Sequence, residues 1–173
     1  MNMANRLSFF NPNPSYCDYL RIYDKNVPVN SGSKSTRPFV GVVFQINSFQ
    51  YYAGLASPKP KHQNMKDNID FIKIDEGRLG VINLNAMIPI PSCLLTKVDI
   101  NSVDPKYKIL LQNQLSWCNT IQNKTKILKN SDRLYQILQR DIPNGNHLRS
   151  RCCDFIALEQ KCLEYCKNHN LNL

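Results

Sequence analysis

The residues with the greatest chemical capacity lie in one short run, Leu55-Ala56-Ser57-Pro58-Lys59-Pro60-Lys61-His62. The run follows an apolar stretch that reads as a strand, so Ser57 is expected where that strand opens into a loop. Two prolines restrict the loop and are expected to present Ser57, Lys59 and Lys61 in alternation. A hydroxyl and two ammonium groups on a stiffened loop suit a phosphodiester. The serine donates to a non-bridging oxygen, and lysine offsets the charge that grows in the transition state. The same residues also fit a plain solvated Pro/Lys connection between strands. A second group, Thr36-Arg37-Pro38-Phe39, brings a guanidinium to the start of the first long strand. Arginine clamps phosphate bidentately, although a surface ion pair is the commoner use of a single Arg. The three histidines are His62, His147 and His169. Only His62 adjoins the basic loop, which makes it the imidazole candidate for proton transfer near neutral pH.

Other machinery is missing. The chain contains no G-x-x-x-x-G-K-[ST], G-x-G-x-x-G, H-E-x-x-H or G-x-S-x-G sequence, and it has six glycines in all. No acidic cluster is dense enough to hold a pair of metal ions. Of the seven cysteines, Cys152-Cys153 and Cys162/Cys166 could form a zinc shell with His147 or His169. Their spacing differs from C-x-x-C knuckles, and Cys162 and Cys166 sit within a helical apolar pattern. Reduced thiols acting as small core hydrophobes is the preferred reading, and no cofactor is expected. A nuclease built from this chain would work without a metal ion. Its substrate would then be RNA, whose own 2′-hydroxyl is the accessible nucleophile.

These groups are positioned by elements that the apolar pattern outlines. Ser15, with Asp18 three residues on, is expected to cap a short helix through Tyr16, Tyr19, Leu20 and Tyr23, which Val27-Pro28 ends. A polar loop, Asn30 to Thr36, follows. Residues 39–43, 49–55, 69–74 and 79–84 read as short strands, with further strand character at 87–90 and 94–100. Turn residues such as Asn47-Ser48 and Asp75-Glu76-Gly77 separate them. Asp104 as cap and Pro105 at the first helical position start a helix. A second helix runs through Ile121, Leu128, Leu134 and Leu138 until Ile142-Pro143-Asn144-Gly145 breaks it, and Asp154 caps a last one. The expected fold is α+β in a single domain, residues 1–173: a compact, strongly bent antiparallel sheet or small barrel with flanking helices.

Charge adds a partner. The 173 residues carry 22 Lys+Arg against 13 Asp+Glu, a net charge of +9. Such an excess points to a polyanion, because each phosphate neutralised releases condensed counterions. The positive residues cluster at Lys59, Lys61, His62 and Lys66, again at Lys124, Lys126, Lys129, Arg133 and Arg140, and at Arg149 and Arg151. Lys34 lies in the polar loop. Lys34, Lys61, Lys66, Lys124, Lys126, Lys129, Arg133, Arg149 and Arg151 form the expected RNA-contacting set. No apolar run is long enough to span a membrane, and no secretory leader is read at the start, so a cytoplasmic protein is expected.

Several segments taken together carry a resemblance. In order they are Ser15-Tyr16-Cys17-Asp18-Tyr19-Leu20, Thr36-Arg37-Pro38-Phe39-Val40-Gly41-Val42-Val43, Tyr52-Ala53-Gly54-Leu55-Ala56-Ser57-Pro58-Lys59, Gly80-Val81-Ile82-Asn83-Leu84, Met87-Ile88-Pro89-Ile90-Pro91 and Cys153-Asp154-Phe155. In this order and spacing the chain resembles the ToxN/AbiQ endoribonuclease toxins of type III toxin–antitoxin and phage abortive-infection systems. The resemblance implies a bent sheet of the MazF/Kid/CcdB type. It also implies metal-independent cleavage of A-rich RNA to 2′,3′-cyclic phosphate and 5′-hydroxyl ends. It implies inhibition by a repeated, pseudoknotted RNA antitoxin that the toxin processes and with which it assembles, as well as action on cellular and phage RNA. By motif, Ser57 and Lys59 match the family's Thr-Ser-Pro-Lys loop, and Arg37, next to Thr36, matches a basic residue at the start of the following strand. Ala56 replaces the usual Thr, and Lys61 stands where some members have Trp. Tyr52, Trp117 and Phe39 are the candidates to stack a substrate base. A lysine, His62 or Ser57 itself is the candidate general base. A non-catalytic RNA-binding or partner-blocking module of the same fold is the alternative function.

Overall fold

The computed structural model describes residues 6–30, 38–140 and 147–173. Its strands are β1 (Ser8–Pro12), β2 (Phe39–Ile46), β3 (Phe49–Ala56), β4 (Phe71–Ile74), β5 (Gly80–Pro89) and β6 (Leu95–Lys97). They join in one antiparallel sheet in the order β4-β5-β3-β2-β1-β6. The helices are α1 (Pro14–Tyr23), α2 (Pro60–Asn64), α3 (Pro105–Asn119), α4 (Ile121–Gln139), α5 (His147–Arg151) and α6 (Phe155–His169). The expected α+β architecture with a curled antiparallel sheet is what forms.

Two register breaks accompany the curl. Between β2 and β3 the pairing shifts between Val40 and Phe44, and between β3 and β5 it shifts at Tyr52/Gly54. Residues inserted into one strand of a pair bend it and increase local twist. The second break explains why 79–84 and 87–90 read as separate strands although they are one: β5 continues through Asn85, whose backbone bonds elsewhere. Asn85 N donates to Asp70 O at 2.8 Å, and Asn85 O accepts from Cys153 N at 2.8 Å. The short β4 shows the sheet's two faces most plainly. Ile72 and Ile74 are fully buried, while Phe71 and Lys73 on the other face are half-buried.

Local chemistry sets the element ends. Asp104 Oδ1 accepts from Lys106 N at 3.0 Å with Pro105 opening α3, and Asp154 Oδ1 accepts from Ala157 N at 3.1 Å at the start of α6. The first helix differs from expectation. Its cap is Asn13, whose Oδ1 accepts from Tyr16 N at 3.1 Å, and Pro14 takes the first turn, so Ser15 is already helical. Ser8–Pro12, two phenylalanines between a serine and an Asn-Pro pair, is too short to carry an alternating strand pattern in its sequence. It becomes a strand because Leu7 and Phe9 are buried and Asn119 grips the Leu7 backbone N–H and C=O at 2.8 and 3.1 Å. The expected break at 142–145 lies outside the described residues; α4 ends at Gln139.

Helix α4 packs on β2 and β5, and α6 packs on β5 and α1. Where these layers meet, the buried Glu159 of α6 accepts from Tyr51 Oη at 2.7 Å and Tyr135 Oη at 2.9 Å, joining β3, α4 and α6. Burial first, and then the Glu159 carboxylate, raise both phenols above their ordinary range. Six cysteines are buried free thiols, as expected of small core hydrophobes. Cys93 is the exposed exception. Burial pushes Cys17, Cys118 and Cys162 up to about 12.

Candidate active site

Strand β3 ends at Ala56, and Ser57, Pro58 and Lys59 are exposed. Ser57 therefore sits where expected, at the mouth of the strand. Beyond it the expectation needs correction. Pro60 opens α2 with Lys59 extended before it (φ −138°, ψ 148°), so Lys61 and His62 turn with the helix instead of alternating with Ser57. Proline's fixed φ and missing N–H suit the first helical position better than a continued loop.

Glycine backbone supports this segment from below. Gly80, at φ +106°, runs so close to it that a Cβ there would lie 2.0 Å from Ala56 O and 3.2 Å from Pro58 N. Gly77, at φ +86°, supports α2 in the same way, with a Cβ position 2.7 Å from His62 O. On the strand side, Leu55 N donates to Pro38 O at 3.1 Å. Pro38, the residue after Arg37, is thus tied two residues before Ser57. Arg37, Thr36 and Lys34 themselves lie outside the described residues.

His62 is buried, with 4% of its surface exposed, and its Nδ1 has no hydrogen-bond partner among the described residues. Burial, with Lys61 and Lys59 nearby, lowers its pKa from the usual 6.5, so the ring is neutral at pH 7. It lines a cleft of about 320 Å³ together with Lys61, Phe71, Asn83, Asn85 and Arg151. Arg151 Nε and Nη2 grip Asp70 Oδ2 and Oδ1 at 2.5 and 3.0 Å, and the Asp70 side chain is only 5% exposed.

The basic residues separate by role. On α4, Lys126, Lys129 and Arg133 recur at intervals of three and four and share the outer face, while Arg140 caps the helix end in extended backbone. Lys124 lies on the inner face with Ile127, Leu128 and Ser131 and is buried, not presented to an RNA. Lys126 Nζ donates to Asp67 Oδ2 at 2.9 Å, which joins this face to the segment after α2, where Lys66 is exposed. Arg149 Nη2 donates to Leu138 O and Arg140 O, both at 2.9 Å, and so satisfies carbonyls at the end of α4. Among the stacking candidates, Tyr52 and Phe39 are core residues. The Tyr52 ring covers Gly41 and meets Phe10 edge-on at 5.6 Å. Trp117 is half-buried on α3.

Sequence reasoning missed Gly80, Phe71, Asn83 and the Asp70–Arg151 pair. Only Gly80 left a signal, since a glycine directly after a turn marks a strained or crowded backbone. Among the described residues no three His, Cys, Asp or Glu side chains converge, and no helix is long and apolar enough to cross a membrane.

The chain is similar to known proteins along most of its length. Residues 8–163 match the family described as toxin ToxN of the type III toxin–antitoxin system. The chain is 32% identical over 171 residues to Endoribonuclease ToxN of Bacillus thuringiensis subsp. kurstaki, covering 95% of this chain and 87% of that protein. It is 29% identical to Endoribonuclease AbiQ of Lactococcus lactis subsp. lactis, covering 93% and 90%. A solved structure described as showing selective toxin inhibition by a non-coding RNA pseudoknot superposes with a TM-score of 0.80 at 30% identity, covering 93% of this chain and 98% of that one.

Proposed function

The chain belongs to the ToxN toxin family of type III toxin–antitoxin systems, and from that premise we propose that it is a metal-independent endoribonuclease whose centre is the Ser57-Pro58-Lys59 loop. One observation carries the reading. An exposed hydroxyl and ammonium stand on a short proline-braced segment, fixed from below by Gly80 and at its side by the Pro38–Leu55 bond. Preorganised donors of this kind stabilise charge that develops on a phosphoryl oxygen without reorganising at the moment of reaction.

The chemistry is an in-line attack of a ribose 2′-oxygen on the adjacent phosphorus. The 2′-hydroxyl gives its proton to a base as its O–P bond forms. The bond to the 5′-oxygen breaks and that oxygen takes up a proton from solvent or a general acid, leaving a 2′,3′-cyclic phosphate and a 5′-hydroxyl. Ser57 orients a non-bridging oxygen, while Lys59, with Arg37 and the neighbouring Thr36, offsets the growing negative charge. His62, held neutral, is competent to accept a proton beside this loop. The substrates are A-rich sites in cellular and phage RNA, cut in the cytoplasm as an antiphage defence.

The family's solved relatives are described as inhibited by a non-coding RNA pseudoknot and as part of an antiviral system regulated by a processed non-coding RNA. A repeated pseudoknot RNA is accordingly the inhibitor proposed for this chain. It would be processed by the toxin and held with it in a protein–RNA assembly. The outer face of α4, with Lys126, Lys129 and Arg133, and the exposed Lys61 and Lys66 supply its phosphate contacts. Ser57→Ala and Lys59→Ala test the centre. Each is expected to fold and to lose about 10²–10³ in cleavage rate of an A-rich oligoribonucleotide. Full activity in both would refute the assignment. An RNA left intact by the wild-type protein would favour the non-catalytic binding module instead.

A further inference from the structure

We infer that the cleft behind α2 is a nucleobase subsite: it takes one unpaired base of the RNA beside the bond being cut, read on its edge by Asn83 and stacked against Phe71 and Arg151. The inference rests on the nuclease reading above and adds to it a place where sequence is sensed.

Position and lining both support it. The cleft shares Lys61 with the basic segment that begins at Ser57, so a strand crossing Lys59 reaches it within a nucleotide's span. At about 320 Å³ it lies at the small end of ligand sites, which suits one base and not a stacked pair. Its walls are mixed. Phe71 is half-buried on the outer face of β4, and Arg151 is anchored at its edge by Asp70 while its side chain stays 44% exposed. An aromatic ring and a fixed guanidinium plane are the two surfaces on which single-stranded bases stack. Asn83 on β5 lies opposite Phe71 and lines the same cleft with no side-chain hydrogen bond among the described residues, and the His62 ring in the same wall leaves Nδ1 unpartnered.

The lining argues against other occupants. A phosphate would find the Nε–Nη2 edge of Arg151, the one suited to bidentate clamping, already taken by Asp70. An apolar ligand would leave the Asn83 amide unsatisfied, at a desolvation cost. A flat heterocycle uses both features, because an asparagine amide pairs with the donor and acceptor on a base edge.

The test moves a single abasic nucleotide through the positions flanking the cut. It compares wild type, Asn83→Ala and the isosteric Asn83→Asp for both cleavage kcat/KM and the Kd of a non-cleavable 2′-O-methyl copy. One position is expected to cost wild type about 10–100-fold when its base is removed, in line with a stacked base. At that same position the penalty should shrink in Asn83→Ala, which removes the edge contact and leaves the stack on Phe71 and Arg151, while Asn83→Asp shifts which base is preferred. If no position is sensitive, or the penalty is unchanged in both variants, the subsite does not exist. Should wild type cleave nothing, the nuclease reading fails by itself, and the Kd comparison still decides the subsite.

Discussion

Replacing Gly80 with alanine should separate the position of the catalytic loop from its chemistry. The new Cβ would start 2.0 Å from Ala56 O, against the 3.0 Å below which real Cβ atoms essentially never approach a neighbour, so backbone on one side must retreat by about an ångström. Both sides are backbone, and neither can swing away as a long side chain would. The substitution also forces an L-residue to φ +106°, at about 1–3 kcal/mol. At this chain length that lowers Tm by roughly 2–4 °C per kcal/mol, leaving a folded protein at moderate temperature. The displaced atoms belong to the residue before Ser57, and a misplacement of this size at a reacting group costs about 10²-fold in rate. Gly54→Ala is the control, since its Cβ would meet nothing nearer than 3.9 Å although it lies in the same strand two residues before Ala56. The assay pairs urea unfolding with kcat/KM on an A-rich oligoribonucleotide, measured well below the variant's Tm. A folded Gly80→Ala protein with wild-type kcat/KM would refute the claim that this glycine sets the loop.

Two further outcomes follow from the electrostatics. The folded-state pKa of His62 lies below 6.5, so the unfolded chain binds the proton first as pH falls; its contribution to stability is complete above about 6.5 and is lost below that. His62→Gln should flatten this part of the stability profile in urea melts from about pH 8 to 5, and an unchanged slope would contradict the buried neutral ring. Lys129→Glu with Arg133→Glu should weaken binding of the inhibitory RNA and reduce its salt slope by about 0.7–0.9 for each phosphate that the variant no longer neutralises. Unaltered affinity in a salt titration would remove α4 from the RNA interface.

Much of this was legible where one residue type has one physical use. Asp104-Pro105 and Asp154 mark helix starts because a carboxylate satisfies the first free N–H groups. Ser57 could be placed because an apolar run stops at a Pro/Lys segment. What was not legible depends on neighbours distant in sequence. Ser8–Pro12 becomes a strand through Asn119 and two partner strands. His62 is buried against a turn that Gly77 allows to approach. Lys124 belongs to a basic cluster in sequence yet falls on the inner face of α4, since a period of 3.6 separates it from Lys126 and Arg133. Arg151 reads as a free cation until Asp70, 81 positions away, closes on it.

The sharpest measurement bears on how the phosphodiester is broken. Two copies of one A-rich oligoribonucleotide, differing only by a 2′-deoxyribose at the nucleotide 5′ of the cut, are incubated with the protein, each with and without EDTA. The expected result is cleavage of the all-ribose strand to a 2′,3′-cyclic phosphate at a rate indifferent to EDTA, with no cut at the deoxy position. Equal cleavage of the two strands, or loss of turnover in EDTA, would contradict attack by the substrate's own hydroxyl at the Ser57–Lys59 loop.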